Sequence, residues 1–275
     1  MTYLVAGSTG TVGRHVVKTL HSAGRQVRGL TRDPSTARFP EGVEAVRGDL
    51  AVLDGLAEAL EGVVGVHLVG FGGAEPHAPL DNGGDLVDLI EAAGVQKVTM
   101  LGAWEESSLE PAVRASRLEW THVWPTAFMS NMFDRTDEVR AGLVEAPFVD
   151  VEGADVHEGD IGAVCAHALM DEGHASAVYG LTGPERLSLR DKVNIFSEVL
   201  RRDIRLVELT PEQARAKMES EGVPTEMIDF ALSLHSDSEG LEEYNMVNTV
   251  VEQVTGRPAR TFARWIADNA ARFQP

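Results

Sequence analysis

The sequence has a single cysteine among its 275 residues, Cys165. One cysteine excludes an internal disulfide and is typical of a reducing compartment, so we expect a cytoplasmic protein. Cys165 lies within an apolar helical stretch, residues 161–170. We therefore interpret it as a buried packing residue rather than a nucleophile.

Positive charge and long apolar runs are also scarce. The 24 Lys and Arg residues stand against 43 Asp and Glu, and the net charge of −19 disfavours binding to nucleic acids or anionic membranes. No apolar run approaches the roughly 18 residues of a membrane span, and no basic segment precedes the first strand, so we expect neither a span nor a signal peptide. The histidines are scattered, and we expect no metal site.

The first thirteen residues, MTYLVAGSTGTVG, join a short apolar strand to three regularly spaced glycines and the start of a helical pattern. A glycine turn in this position lets the backbone approach a pyrophosphate, and the helix N-terminus adds free N–H groups and partial positive charge. The alternative is a plain surface turn. We predict a dinucleotide site formed by Gly7, Ser8, Thr9, Gly10, Thr11, Val12 and Gly13.

The residues that follow the second predicted strand, residues 26–31, decide which dinucleotide binds. Arg32 offers a planar guanidinium to a 2′-phosphate, whereas an acidic residue there would accept the ribose hydroxyls of NAD. We therefore predict NADP(H) as the cofactor, with Thr31 and Arg32 beside the adenosine ribose. The alternative is that Arg32 is a solvated loop residue and that Asp33 only caps a turn before Pro34.

The Gly-x-x-Gly-x-x-Gly spacing resembles the turn of extended and atypical short-chain dehydrogenase/reductases. Residues 118–131 and 255–265 resemble the sixth strand with its following turn and the closing motif of the NmrA-like branch. The resemblance implies an α/β protein: a Rossmann-type doubly wound parallel sheet with a smaller, mainly helical C-terminal substrate-binding part. We expect the cofactor-binding core at residues 1–140, with 148–181 returning to it, and the helical part at 182–275.

The resemblance also implies cofactor contacts at further strand ends. Residues 48–50, Gly-Asp-Leu, match a turn whose Asp bonds the adenine amino group, although Asp49 could equally cap a helix over residues 52–61. The glycine-rich segment after the fourth strand and the turn after the sixth would flank the nicotinamide. These expected contacts are Asp49, Leu50, Gly70, Phe71, Gly72, Pro125 and Phe128.

Reductases of this superfamily usually carry Tyr-x-x-x-Lys after the fifth strand, and the tyrosine protonates the substrate oxygen. The three tyrosines and four lysines of this sequence all lie outside the stretch between Leu101 and Trp120. We therefore expect a different acid, with Glu105 and Thr126 as candidates. Burial would have to raise the pKa of Glu105, and the alternative is that Glu105 and Glu106 form a solvated loop.

Trp124 and Thr126 stand where the family usually has Arg and Gly, which places larger groups beside the expected nicotinamide. We expect an apolar substrate pocket lined by Trp104, Trp124, Met129 and Met132. The leading hypothesis is an NADPH-dependent reductase of a hydrophobic ketone, enone or quinone, including one in natural-product tailoring. The alternatives are a non-catalytic NADP(H)-sensing regulator and a redox-silent isomerase or cyclase. The sequence leaves the oligomeric state open, a monomer included.

Overall fold

Strands alternate with helices along most of the chain, in a computed structural model that describes residues 1–72, 78–102, 107–233 and 246–274. The strands are β1 (Thr2–Val5), β2 (Gln26–Thr31), β3 (Glu44–Arg47), β4 (Val63–Val69), β5 (Lys97–Leu101), β6 (Glu119–Pro125), β7 (Leu143–Ala146), β8 (Ala177–Leu181) and β9 (Arg205–Glu208).

The helices of the described residues begin directly after the first glycine turn and include two short 3-10 segments. They are α1 (Gly13–Ser22), α2 (Leu56–Ala59), α3 (Gly83–Ala92), α4 (Leu109–Ala115), α5 (Thr136–Ala141), α6 (Glu158–Met170), α7 (Leu189–Leu200), α8 (Pro211–Ser220), α9 (Thr225–Ser233), α10 (Val250–Thr255) and α11 (Phe262–Asn269), with 3-10 helices at Met129–Arg135 and Ala270–Phe273.

Within the described residues, seven strands form one parallel sheet in the order β3-β2-β1-β4-β5-β6-β8. The chain leaves β1 toward β2 and β3 and then returns to the other side of β1 with β4. This reversal creates a switch point at the carboxyl ends of β1 and β4, where doubly wound sheets bind their ligands. The predicted Rossmann-type sheet is confirmed.

The central strands are apolar because both of their faces are covered. In β1, residues 3–5 are at most 2% exposed, and in β4 every residue except Val64 is buried. Helix α1 buries Val16, Val17 and Leu20 on one face, which agrees with the helical spacing in the sequence. Burying these apolar side chains is the main stabilising contribution to the sheet.

Helices α1 and α6 pack closely at a glycine. A Cβ on Gly162 of α6 would lie 2.5 Å from the Cβ of His15, so only glycine allows this approach. Cys165 lies on the same helix and is fully buried, and burial raises the pKa of its thiol to about 12. The prediction of a buried packing cysteine is confirmed, and its thiol remains protonated and unreactive at neutral pH.

The chain divides into two compact units whose boundaries differ from the expected ones. The first unit contains residues 1–125, 158–181 and 250–257, and the second contains 126–157, 182–249 and 258–275. The return to the core therefore begins at Glu158, with the buried helix α6, rather than at residue 148. Segment 148–151 has no regular strand, and Phe148 takes a left-handed φ of 55°.

The second unit has its own apolar core, built from aromatic and methionine side chains. Phe196, Phe262, Trp265 and Phe273 are fully buried there and stack or meet edge to face. The unit also contains a parallel pair of strands, β7 and β9, which the expectation of a mainly helical part did not include. Its helix α7 begins with a capping box in which Ser188 and Asp191 exchange hydrogen bonds.

The predicted helix over residues 52–61 is shortened to Leu56–Ala59. Leu53 and Gly55 have φ angles of 57° and 70°, in the left-handed region. A helix cannot continue through such residues, so the first turn is replaced by a loop.

Candidate active site

The turn between β1 and α1 requires glycine at its first and third glycine positions. Gly7 has a φ of 59°, and its carbonyl accepts a hydrogen bond from the N–H of Gly10 at 2.8 Å. A Cβ on Gly13 would lie only 2.1 Å from the same Gly7 carbonyl oxygen. The start of α1 therefore packs directly on the turn, which is the role of the third glycine in a dinucleotide-binding motif.

The outer surface of this turn is backbone and threonine. Gly7, Thr9, Gly10 and Thr11 are exposed at the N-terminus of α1, where an anion can meet free N–H groups. Ser8 differs from the expectation, because it is fully buried and its hydroxyl donates to the Leu30 carbonyl at 2.7 Å. This hydroxyl ties the turn to β2 and is not available to a phosphate.

Val12 is also buried, at 4% exposure, because its side chain belongs to the apolar core. A contact between Val12 and a ligand would therefore involve its backbone alone.

Exposed arginines surround the end of β2. Arg32 follows Thr31 directly, and Thr31 is paired in register with Arg47 of β3. The Ser35 hydroxyl and N–H, which both donate to Asp33, hold the pKa of Asp33 below its usual value, and Arg47 adds to this effect. Asp33 thus shapes a local turn, and the arginines provide the local positive charge that an anionic ligand needs in an acidic protein.

The turn after β3 is held by its own side chain and by α3. Asp49 Oδ1 accepts the N–H of Ala51 at 3.0 Å, while α2 begins seven residues after Asp49, at Leu56. Asp49 therefore forms a local turn and does not cap a helix. Asn82 Nδ2 donates to the carbonyls of the buried Leu50, at 2.8 Å, and Ala51, at 3.0 Å.

The end of β4 lies between these turns. A Cβ on Gly7 would lie 3.4 Å from Val69 Cγ1, at contact distance, and a Cβ on Gly72 would lie 4.0 Å from Asp49 Oδ1. The N–H of Leu80 donates to the Gly70 carbonyl at 3.0 Å, and Phe71 forms an antiparallel bridge with Pro79. The structure therefore brings the predicted residues of β1, β3 and β4 together at one edge of the sheet.

The two candidate acids, Glu105 and Thr126, differ in what the structure shows of them. Glu105, together with Trp104 from the predicted pocket, lies outside the described residues. Thr126 is 5% exposed, and its hydroxyl donates to the Ala154 carbonyl at 2.6 Å. The Thr126 proton is held by the backbone, so this geometry does not favour Thr126 as the acid.

The predicted pocket residues have different surroundings. Trp124 is partly exposed near the end of β6, beside the buried Pro125. Met129 and Met132 are 2% and 6% exposed and belong to the apolar core of the second unit. They pack within this core and do not line a pocket as expected. Phe128 is half-buried and its backbone bridges to Val156.

Two histidines of the sheet, His67 and His122, are buried, and burial lowers their pKa values, so neither carries the extra proton of an imidazolium to donate as an acid at neutral pH. His67 in β4 lies 3.0 Å from Thr99 Oγ1, and burial lowers its pKa to about 4. His67 is therefore a core histidine. His122 in β6 was missed by sequence reasoning, because the strand also contains the polar residues Glu119 and Thr121 and no pattern distinguishes His122 from them.

The described ranges contain no helix that is long and apolar enough to cross a membrane. In the same ranges, no group of three or more His, Cys, Asp or Glu side chains could hold a metal ion.

Comparisons with known proteins connect this geometry to named relatives. A (4-alkanoyl-5-oxo-2,5-dihydrofuran-3-yl)methyl phosphate reductase from Streptomyces griseus is 35% identical over 288 residues, and the match covers 99% of each chain. An NAD(P)H azoreductase from Xenophilus azovorans is 32% identical, with 98% of both chains covered. The NADPH-dependent quinone oxidoreductase of Escherichia coli, solved with NADPH, shares the fold with a TM-score of 0.76 at 19% identity, covering 98% of this chain and 99% of its own.

The family model that matches describes the NmrA-like family, and it matches residues 1–262, nearly the whole chain. The two relatives above extend the likeness over the full length at more than 30% identity. This protein therefore belongs to the NmrA-like family.

Proposed function

We propose that this protein transfers hydride from NADPH to a ketone, enone or quinone and does so without a tyrosine acid. The observation that carries the proposal is the exposed glycine backbone of the β1–α1 turn, at the switch point of the sheet, with the exposed Arg32 at the next strand end. Backbone N–H groups at a helix N-terminus suit a pyrophosphate, and a guanidinium suits a 2′-phosphate.

The general class is supported by the relatives. The chain is an NAD(P)H-dependent reductase, since the two relatives that match it at more than 30% identity over their full length are named as reductases, and a solved protein of the same fold binds NADPH. The relatives are named for a dihydrofuran phosphate and for azoreduction. Reduction is what these names share, and the acceptor of this chain is our proposal.

Each strand end would hold one part of the cofactor. The turn at residues 7–13 would hold the pyrophosphate, Arg32 the 2′-phosphate and Asp49 the adenine amino group. The nicotinamide half would pass the backbone of Gly70 and Gly72; at Gly70 the Cβ position is closed off by Glu110 Oε1, at 2.8 Å, and Ser107 Oγ, at 3.0 Å, so only backbone faces the cofactor there. When bound, NADPH supplies the hydride, and the protein orients the acceptor carbon and excludes water.

We propose that the proton comes from a group other than a tyrosine, and of the three tyrosines the structure describes Tyr3 and Tyr179. Tyr3 is 2% exposed in the first half of β1, away from its carboxyl end, and the Tyr179 hydroxyl is bonded to His174 Nδ1 at 2.8 Å. We propose that water or a substrate hydroxyl protonates the product, with Glu105 as the protein candidate. Positioning can supply roughly 7–11 kcal/mol, whereas a lost general acid costs only about 10²–10⁴-fold in rate.

The test uses NADPH carrying deuterium at the transferred position and a panel of ketones, enones and quinones. We expect NADPH consumption with deuterium on the product carbon, and Phe at Tyr3, Tyr179 or Tyr244 should leave kcat within about threefold, far less than the 10²–10⁴-fold loss of a general acid. NADPH binding with no labelled product would favour the cofactor sensor. Product formed without net NADPH consumption would favour the isomerase or cyclase.

A further inference from the structure

The indole of Trp124 lies flat on the end of strand β5. A Cβ built on Gly102 would be 2.7 Å from Trp124 Cδ2 and 2.9 Å from Cε2. These two atoms are shared by both rings of the indole, so the centre of its face, rather than its rim, covers Gly102. Only glycine at residue 102 leaves room for this arrangement.

His122 holds the indole in this orientation. The Trp124 Nε1–H donates to His122 Nδ1 at 3.1 Å, and Arg114 Nη2 lies 3.3 Å from the same nitrogen. Nδ1 is therefore the acceptor, and the ring proton is on Nε2. His122 is fully buried, and burial together with the nearby Arg114 lowers its pKa to about 4, so Nδ1 keeps accepting at neutral pH.

The held indole is close to the expected nicotinamide. β6 is two strands away from β4 in the sheet, and adjacent strands are about 4.8 Å apart, so Trp124 lies about 10 Å from the end of β4. A nicotinamide held at the end of β4 and a ring-sized substrate beside it would together span this distance. Trp124 is partly exposed, whereas His122 beneath it is fully buried.

We propose that Trp124 is the surface on which the substrate stacks, that His122 is its positioning residue, and that the substrate is a flat conjugated acceptor such as a quinone. This inference rests on the proposed function and narrows its acceptor class. A fixed indole loses little freedom on binding, and its electron-rich face suits the face of an electron-poor conjugated ring. A saturated ketone presents out-of-plane hydrogens and cannot stack in this way.

Steady-state kinetics with menadione, a flat quinone, and cyclohexanone test the stacking surface. Stacking between two aromatic rings adds to the binding free energy, so Trp124→Leu should raise KM for menadione about threefold to tenfold. Trp124→Phe keeps an aromatic ring and should retain most of the affinity. The Kd for NADPH and any turnover of cyclohexanone should not change. Trp120→Leu is the matched control because Trp120 stands on the same strand at its opposite end. An unchanged KM for menadione in Trp124→Leu would overturn the inference.

Tryptophan fluorescence tests the positioning residue without needing turnover. The part of the emission that Trp124→Phe lacks is assigned to Trp124. In protein loaded with NADP⁺, menadione should quench this emission. His122→Asn, which keeps an acceptor near the Nδ1 position, should quench as the parent does, and His122→Leu should lose at least half of the signal. Equal quenching in Trp124→Phe would refute the stacking surface, and equal quenching in a folded His122→Leu would refute the positioning role.

The two proposals fail in different ways. Menadione quenching at Trp124 with no hydride transfer to any acceptor would disprove the proposed function and support the stacking surface. Hydride transfer to cyclohexanone as efficient as to menadione would support the proposed function and overturn the inferred acceptor class. If His122→Leu does not fold, Trp124→Leu still tests the stacking surface, and a loss of quenching in His122→Asn would refute the positioning role assigned to the acceptor at Nδ1.

Discussion

At the scale of single residues, the hydroxyl groups of Ser8 and Thr126 show how the surroundings determine a role. Both residue types suit a ligand, and both were expected to serve one. In the structure each hydroxyl donates instead to a backbone carbonyl, that of Leu30 at 2.7 Å and that of Ala154 at 2.6 Å. A buried hydroxyl without such a partner would be unfavourable, so the fold uses these groups to join its own segments.

Arg32 is expected to select the cofactor. Arg32→Ala should weaken NADPH binding by about 1.5–3 kcal/mol and leave NADH binding nearly unchanged, because only NADPH carries the 2′-phosphate. Isothermal titration with both cofactors measures the difference. Arg264→Ala, at an exposed position of α11 in the second unit, is the control. Equal losses for the two cofactors would mean that Arg32 contacts a group they share.

At the scale of elements, close contacts between backbones determine where glycine is required. Gly13 meets the β1–α1 turn, and Gly162 meets α1 from α6, with less space than a methyl group needs in both cases. The three-residue spacing of the first glycines indicated their role in the sequence. Nothing in the sequence around Gly162 indicated which helix it approaches.

Replacing a glycine at the β1–α1 turn by alanine is expected to reduce stability, whereas replacing a helical glycine that has free space around it is expected to increase stability. Gly13→Ala places a Cβ 2.1 Å from the Gly7 carbonyl, so NADPH affinity should fall more than tenfold and unfolding free energy by about 1–3 kcal/mol. Gly84→Ala in α3 meets nothing within 4 Å and should stabilise the protein by about 0.5–1 kcal/mol. Titration and urea unfolding measure both variants. Full NADPH affinity in Gly13→Ala would contradict the geometry.

At the scale of the whole molecule, the acidic chain carries a locally basic site. The net charge is −19, yet four exposed arginines lie near the start of the chain. Arg14 is on α1, Arg32 and Arg38 follow β2, and Arg47 is on β3. A ligand with phosphate groups is attracted to this region, while extended polyanions are repelled by the rest of the surface. Charge arrangement therefore favours a small anionic cofactor over nucleic acid.

Stability is expected to fall on mild acidification. His67 has a folded pKa of about 4 and an ordinary value of 6.5, so between these values the unfolded chain binds a proton that the folded chain excludes. The stabilisation is complete above pH 6.5 and is lost as the pH falls toward 4, by up to about 3 kcal/mol for His67. His122 acts in the same direction.

Urea unfolding at pH 7.0, 6.0 and 5.5 measures this effect above the range in which carboxylates titrate. His67→Asn removes the titrating ring but keeps a polar partner for Thr99, so it should flatten the pH dependence. The same slope in His67→Asn and the parent would mean that other groups are responsible.

The sequence by itself determined the doubly wound sheet and the position of its glycine turn. Apolar strands, glycine spacing and helical periodicity are local properties, so β2 was predicted with its observed limits, residues 26–31. The residues at the strand ends were also predictable, because parallel strands bring their carboxyl ends to one edge.

The tertiary structure decided which side chains remain available at that edge. Met129 and Met132 became core, Ser8 and Thr126 bonded to carbonyls, and the pair of Gly102 and Trp124 arose from strands whose contact no local pattern encodes. The division into two units at residues 125 and 158 likewise depends on which apolar faces meet. Packing and hydrogen bonding between residues far apart in the chain are satisfied only in the folded molecule, so their outcome could not be read from residue types alone.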